Sequence, residues 1–135
     1  AGAVVLGTRI RGEAGGKEHP RKAFWLGVLR RVAEGTLAAT TSVEVVQELL
    51  HLFARRNRRA DGIALCHRVL ALIPEPLPLE RHTVELLCRF AKKYPDNGTR
   101  DLLHLASMVV AGINQIISVD RDFDLFDEVQ RVDPG

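Results

Sequence analysis

Apolar residues along the chain switch between two spacings. AVVLG (3–7) is short, β-branched and almost wholly apolar, which suits a strand covered on both faces in a parallel sheet. Trp25, Val28, Leu29 and Val32 then recur at i, i+3, i+4 and i+7. That spacing predicts an amphipathic helix over 20–34, with Gly35 as its stop. Residues 37–40 read as a second short strand. TSVEVVQELLHLF starts another helix with Val45, Val46, Leu49, Leu50 and Phe53 on one face, and Thr41 with Glu44 has the capping-box spacing. ARRNRRADG breaks that helix. Residues 61–73 form the next, with Ile63, Cys66, Leu70 and Ile73 as its stripe. EPLPLE (75–80) sets apolar residues between prolines, as in a short strand at a sheet edge. Residues 81–94 are helical through Val84, Leu87, Phe90 and Tyr94, and YPDNG is a turn. Thr99 caps a helix that Gly112 ends. QIIS (115–118) and VQRVD (129–133) are late strands.

Strands that alternate with helices predict one α/β domain over residues 1–135: a mostly parallel central sheet with helices on both faces. Composition changes little in this picture. The chain is 46% hydrophobic and 27% charged, which argues for a globular core and against disorder. Its 19 Lys and Arg against 17 Asp and Glu leave a net charge of +2, too small a surplus to indicate a nucleic-acid partner by itself. No run approaches the length of a membrane span, and AGAVVLG lacks the basic and long apolar stretches of a signal peptide. Cys66 and Cys88 lie in helical patterns without C-x-x-C spacing and read as small buried thiols in a reducing compartment. The expected location is the cytoplasm.

In open parallel sheets, sites form beyond the carboxyl ends of the strands. Acids collect there. Glu44 and Glu48 follow the strand at 37–40, Asp101 opens a helix, and Asp120, Asp122 and Asp124 follow QIIS. Carboxylates gathered in one place need a cation to stay ionised, and hard oxygen donors select Mg²⁺ or Mn²⁺. Such ions support phosphodiester hydrolysis. Each acid also has a structural reading. Glu44 is the capping-box acid, Asp101 is favoured by the helix dipole, and Asp124 reads as a solvated loop acid, as Asp122 also can. Glu48 has no capping role, and Asp120 directly follows a strand. A calcium loop fails on register, because Leu125 and Arg131 stand where an EF-hand needs Gly and Glu.

Taken together, TSVEVVQELLHLF, GTRDLLHLASMVVAGINQIISVDRDFD and the closing V-x-R-V-D-P resemble a PIN domain, specifically the VapC-type toxin ribonucleases of prokaryotic toxin–antitoxin pairs. The resemblance covers nearly the whole chain. It implies a three-layer α/β/α sandwich, a Mg²⁺- or Mn²⁺-dependent endoribonuclease acting on RNA, a cognate antitoxin protein and a homodimer. It assigns the second, third and fourth family acids to Glu48, Asp101 and Asp120, with Asp122 as an auxiliary metal ligand. The first motif departs from the family pattern. VVLGTRI places Gly7 where an Asp is usual and Arg9 where an Asn is usual, with Thr8 kept. Three explanations stand side by side: a natural degenerate member that binds but does not cut, an introduced disabling change, or replacement of the missing ligand by Asp122.

Arg55, Arg56, Arg58 and Arg59 in ARRNRR form either a patch for RNA phosphates or an acidic antitoxin segment, or a solvated turn. His104 falls one helical turn after Asp101 and reads as core or helix support. A receiver domain, another small parallel α/β fold, is disfavoured by Gly7 and by the absence of a Lys near ISVDRDFD.

Overall fold

β1 (Ala3–Val5) is buried along its whole length, so its backbone groups need partners on both sides. In a computed structural model that describes residues 3–5, 20–118 and 120–132, it finds them. β2 (Ala39–Thr40) and β3 (Gln115–Ile117) flank it in parallel, with Val4 opposite both Thr40 and Ile116. β4 (Gln130–Val132) pairs in parallel outside β3, which gives the sheet order β2-β1-β3-β4. Five helices flank the sheet: α1 (Pro20–Ala33), α2 (Val43–Arg55), α3 (Arg59–Leu72), α4 (Arg81–Lys93) and α5 (Thr99–Ala111). This is the expected parallel α/β sandwich. Its core gathers Trp25 and Leu29 of α1, Val45, Leu49 and Phe53 of α2, and Leu102, Leu105 and Met108 of α5 around Val4, Val5 and Ile116.

Several local expectations change. EPLPLE contributes a single parallel bridge, Ser42 to Leu77, and no strand; its prolines leave only isolated donors for pairing. Thr41 does not cap α2. Its hydroxyl donates to the Val5 carbonyl at 2.9 Å, tying the end of β1 to the start of α2. Ser42 caps instead, accepting from the Val45 N–H at 3.1 Å. α5 has Gly98 rather than Thr99 at its cap. Its far end matches expectation, since Gly112 takes the left-handed conformation at φ 71°. Between β3 and β4 the chain makes one 3-10 turn, Arg121–Leu125.

The α3 stripe is rotated in part from its expected face, while the α4 stripe meets the core through Leu87, Phe90 and Tyr94 as expected. α3 buries Leu65, Cys66, Val69 and the capping Ile73, while Ile63 and Leu70 are exposed. α4 buries Phe90 and Thr83, and leaves Val84 exposed. Periodicity shows that a helix is amphipathic, but its neighbours select the buried face. Cys88 is exposed, not buried. Burial pushes the Cys66 thiol up from its usual pKa.

α3 begins earlier than expected because Arg58 and Asp61 brace its first turn, with Arg58 Nη2 at 2.9 Å from Asp61 Oδ2. The next residue, Gly62, is where α3 meets α2: a Cβ there would lie 2.7 Å from Phe53 Cβ.

Beyond the 3-10 turn, Glu128 locks the chain to the end of α4. Lys93 Nζ donates to its Oε2 at 2.6 Å and Tyr94 Oη to its Oε1 at 2.7 Å. Tyr94 Oη also accepts from the Asp127 N–H at 3.1 Å. Burial pushes the Glu128 carboxyl up, but the hydrogen bonds from Lys93 and Tyr94 outweigh it and leave the group below the usual carboxylate range.

These contacts can be tested by substitution. Gly62→Ala forces α2 and α3 apart at Phe53 and should lower stability by about 1–2 kcal/mol in urea titrations, despite the better helix propensity of Ala. Glu128→Gln should cost about 1 kcal/mol at pH 7. Because the folded-state pKa is lowered, the Glu128 contribution is complete above the ordinary carboxylate range and lost as pH falls through the lowered value. The gap between Glu128→Gln and the parent protein should therefore close on acidification in thermal melts.

Candidate functional site

Three acids converge at the carboxyl end of β3. β3 ends at Ile117, and the chain turns through Ser118 to Asp120. The Asp120 N–H donates to Ser118 Oγ at 3.0 Å, and Asp120 Oδ1 accepts from the Asp122 N–H at 3.0 Å. Asp120 therefore caps the 3-10 turn while its carboxylate is held in a fixed position. Phe123, buried one residue later, anchors the turn to the core. Asp101 arrives from α5, in the first helical turn, where its charge is favoured by the N-terminal dipole. Asp101, Asp120 and Asp122 each offer a carboxylate oxygen within 4.8 Å of the others. Asp101 and Asp120 are buried, and Asp122 is half-buried. A cavity of ≈ 230 Å³, lined by Asn97, Gly98, Arg100, Asp101 and Asp122 among others, opens onto the group.

Glu48 is outside that trio. It is only 5% exposed, on the same side of α2 as Val45, Leu49 and Phe53. Its Oε1 lies 3.1 Å from Arg100 Nη1 and its Oε2 3.7 Å from His104 Nε2. Arg100 and His104 flank Asp101 on α5, so Glu48 is bound to the helix that carries Asp101. His104 is itself 2% exposed, and neither ring nitrogen makes a hydrogen bond among the described residues. A buried imidazole without hydrogen bonds is costly, and its carboxylate neighbour is Glu48.

Asp124 does not join the trio. It pairs with Arg131, whose Nε lies 2.9 Å from Asp124 Oδ1 and whose Nη1 donates to the Ser118 carbonyl at 3.1 Å. That arginine braces the loop carrying Asp120. Glu44 lies in the first turn of α2, where the capping-box spacing puts it, but the cap is Ser42. Gly7, Thr8 and Arg9 lie outside the described residues.

The arginine run divides. Arg58 pairs with Asp61 and stacks over the Phe53 ring, 5.6 Å from its centroid, so its role in the fold is structural. Arg55 and Arg56 are exposed at the end of α2. Arg59 lines a second cavity of ≈ 300 Å³ with Gln47, Leu50, His51, Ala54 and Ile63. The two cavities share no lining residue.

Sequence reasoning names all three members of the trio but ranks Asp122 below Glu48. It assigns no role to Arg100, although that residue stands in the same R-D-x-x-H stretch. The only signal is adjacency to Asp101.

Comparison with known proteins gives a consistent picture. The sequence profile of the PIN domain family matches residues 16–129. Ribonuclease VapC13 of Mycobacterium tuberculosis is 30% identical over 117 residues, spanning 87% of this chain and 89% of that protein. VapC ribonuclease Mb1869c of Mycobacterium bovis matches to the same extent. Ribonuclease VapC7 of Mycobacterium tuberculosis is 40% identical over 62 residues, 46% of this chain and 43% of its own. No solved structure matches the chain at a significant level.

Like charges this close destabilise one another when no cation is bound. Asp122→Asn should therefore raise the melting temperature in EDTA by about 1–4 °C, in the manner of active-site neutralisations. A lower melting temperature would show that repulsion among the acids does not govern stability here.

Proposed function

The chain belongs to the PIN domain family, in its VapC-type branch, and from that premise we propose that it is a metal-dependent endoribonuclease, the toxin of a toxin–antitoxin pair, which hydrolyses RNA phosphodiesters. The observation that carries this reading is the trio of Asp101, Asp120 and Asp122 with oxygens within 4.8 Å of one another. Three hard anionic donors at that separation suit Mg²⁺ or Mn²⁺ far better than a soft metal. Bound there, such an ion would supply Lewis-acid activation of water and neutralise charge on the phosphate.

The remaining chemistry belongs to the chain. Asp101 and Asp120, both buried, would hold the ion from the protein side. Asp122, on the rim, lets one side stay open to water and RNA. Glu48 stands outside the trio, tied through Arg100 to the helix that carries Asp101, and its deep burial holds it in one orientation. His104 supports Glu48 from α5.

The family premise extends to partners. A cognate antitoxin protein would cover the acidic cavity, and the exposed Arg55, Arg56 and Arg59 offer charge for its acidic segments or for RNA outside the cleavage site. Assembly as a homodimer in the cytoplasm is part of the same proposal. No helix among the described residues is long and apolar enough to cross a membrane.

Gly7 supports a second reading: a degenerate PIN domain that binds RNA or antitoxin without cutting. Loss of one acid from a small donor set weakens metal binding, and Arg9 adds a competing charge nearby in sequence.

Purified protein should cut RNA with Mg²⁺ or Mn²⁺, stop with EDTA, and lose ~10³-fold or more in kcat/KM on Asp101→Asn. Cleavage that survives both treatments overturns the metal mechanism. If the parent is inert and Gly7→Asp restores metal binding and cutting, the site is disabled but intact. If the parent already cuts and Gly7→Asp changes nothing, the degenerate reading falls.

A further inference from the structure

We propose that Arg100 is the residue that grips an RNA phosphate next to the cleavage site, in competition with its ion pair to Glu48. The inference rests on the ribonuclease reading and deepens it.

The charge around the site sets the problem. Asp101, Asp120 and Asp122 bring three carboxylates together, Glu48 adds a fourth where it meets Arg100 next to Asp101, and the substrate is a polyanion. One divalent ion cannot neutralise four acids and also balance two or three RNA phosphates. A side-chain cation within reach of the cavity is needed. Among the described residues that line the acidic cavity, Arg100 is the only cation. The arginine run at the end of α2 does not meet this need, since its cavity-lining member, Arg59, belongs to the other cavity.

Arg100 also has the right attachment. It lies beside Asp101 in the first turn of α5, so its backbone is fixed relative to the acids. Its side chain is 62% exposed, yet its tip lies 3.1 Å from an oxygen of Glu48, which is only 6% exposed. The contact uses Nη1, and guanidinium presents five N–H donors in a planar fork that matches two phosphate oxygens. A long, largely solvated side chain held at its tip, among the described residues, by the ion pair to Glu48 can swing without disturbing the core.

The two states are linked by competition. While Arg100 neutralises Glu48, that acid is less available to a metal ion. Were Glu48 drawn toward an ion held by the neighbouring acids, Arg100 would be free to meet a phosphate. The residue thus acts against metal binding and in favour of RNA binding. A mere counterion that orients Glu48 would favour both.

The opposite signs give the test. Mn²⁺ affinity is measured by calorimetry, and binding of a fluorescein-labelled single-stranded RNA by stopped-flow anisotropy, read before cleavage, with Mn²⁺ and with EDTA. Parent, Arg100→Ala and Arg100→Lys are compared. Arg100→Ala should bind Mn²⁺ as tightly as the parent or up to ~5-fold tighter, and RNA with Mn²⁺ ~10-fold or more weakly. The slope of log affinity against log salt should fall by about one. In EDTA the RNA difference should shrink, and Arg100→Lys should recover part of the loss. If Arg100→Ala lowers Mn²⁺ affinity instead, Arg100 is a positioning residue for Glu48 and the proposal is overturned. Unchanged RNA binding beside intact metal-dependent cleavage overturns it while leaving the ribonuclease reading in place. Absence of RNA binding in every form overturns both, and cleavage indifferent to Asp101→Asn overturns the ribonuclease mechanism alone.

Discussion

β1 must be hydrogen-bonded along both edges, because Ala3, Val4 and Val5 are buried and no water is there to take their backbone groups. Parallel pairing satisfies that need only with strands brought from far along the chain, β2 from residues 39–40 and β3 from residues 115–117. The carboxyl ends of all three then fall on one edge of the sheet. Everything at the site follows from this. α2 begins just beyond β2 and carries Glu48, and the Asp120 turn begins just beyond β3. The Thr41 hydroxyl on the Val5 carbonyl ties the central strand to the start of α2, fixing the helix that holds Glu48.

The acids then create an electrostatic conflict that the fold contains rather than relieves. Two of the trio are buried, and Asp120 is locked between Ser118 and Asp122 by local hydrogen bonds. Arg131 and the buried Phe123 hold the same loop from behind. The Glu128 clasp with Lys93 and Tyr94 secures the segment that follows. Rigid support on several sides is what keeps like charges from drifting apart, and a preorganised carboxylate group is what a small, strongly hydrated cation requires. Glu48 is treated differently. It is buried beside Val45 and Leu49 and faced by Arg100 and His104, so it stands apart from the trio.

Much of this is legible in the chain itself. The short β-branched strand at the start, the helix with Val45, Leu49 and Phe53 on one face, the Gly112 stop and the QII strand all follow from periodicity and turn chemistry. The PIN resemblance can be read from TSVEVVQELLHLF and GTRDLLHLASM before any coordinates. Where expectation and structure part, the reasons are identifiable. Spacing puts the α3 stripe on Ile63, Cys66, Leu70 and Ile73; Cys66 and Ile73 are buried, but Leu65 and Val69 are buried where Ile63 and Leu70 are not, because helical spacing alone cannot say which arc meets a neighbour. Thr41 and Ser42 are both capping residues by type, and only the nearness of the Val5 carbonyl draws Thr41 away from the cap.

Sequence by itself therefore determined the identity of the acids, the parallel α/β plan and the family, because these depend on residue type and on spacing within single elements. Tertiary structure alone decided how the acids are grouped. Asp101, Asp120 and Asp122 form one set and Glu48 another, since distances between residues far apart in sequence are set by strand register and helix packing. It also brought in Arg100 and His104. Sequence reads His104 only as core or helix support and gives Arg100 no role, and both gain their significance because α5 packs so that they face the same buried carboxylate.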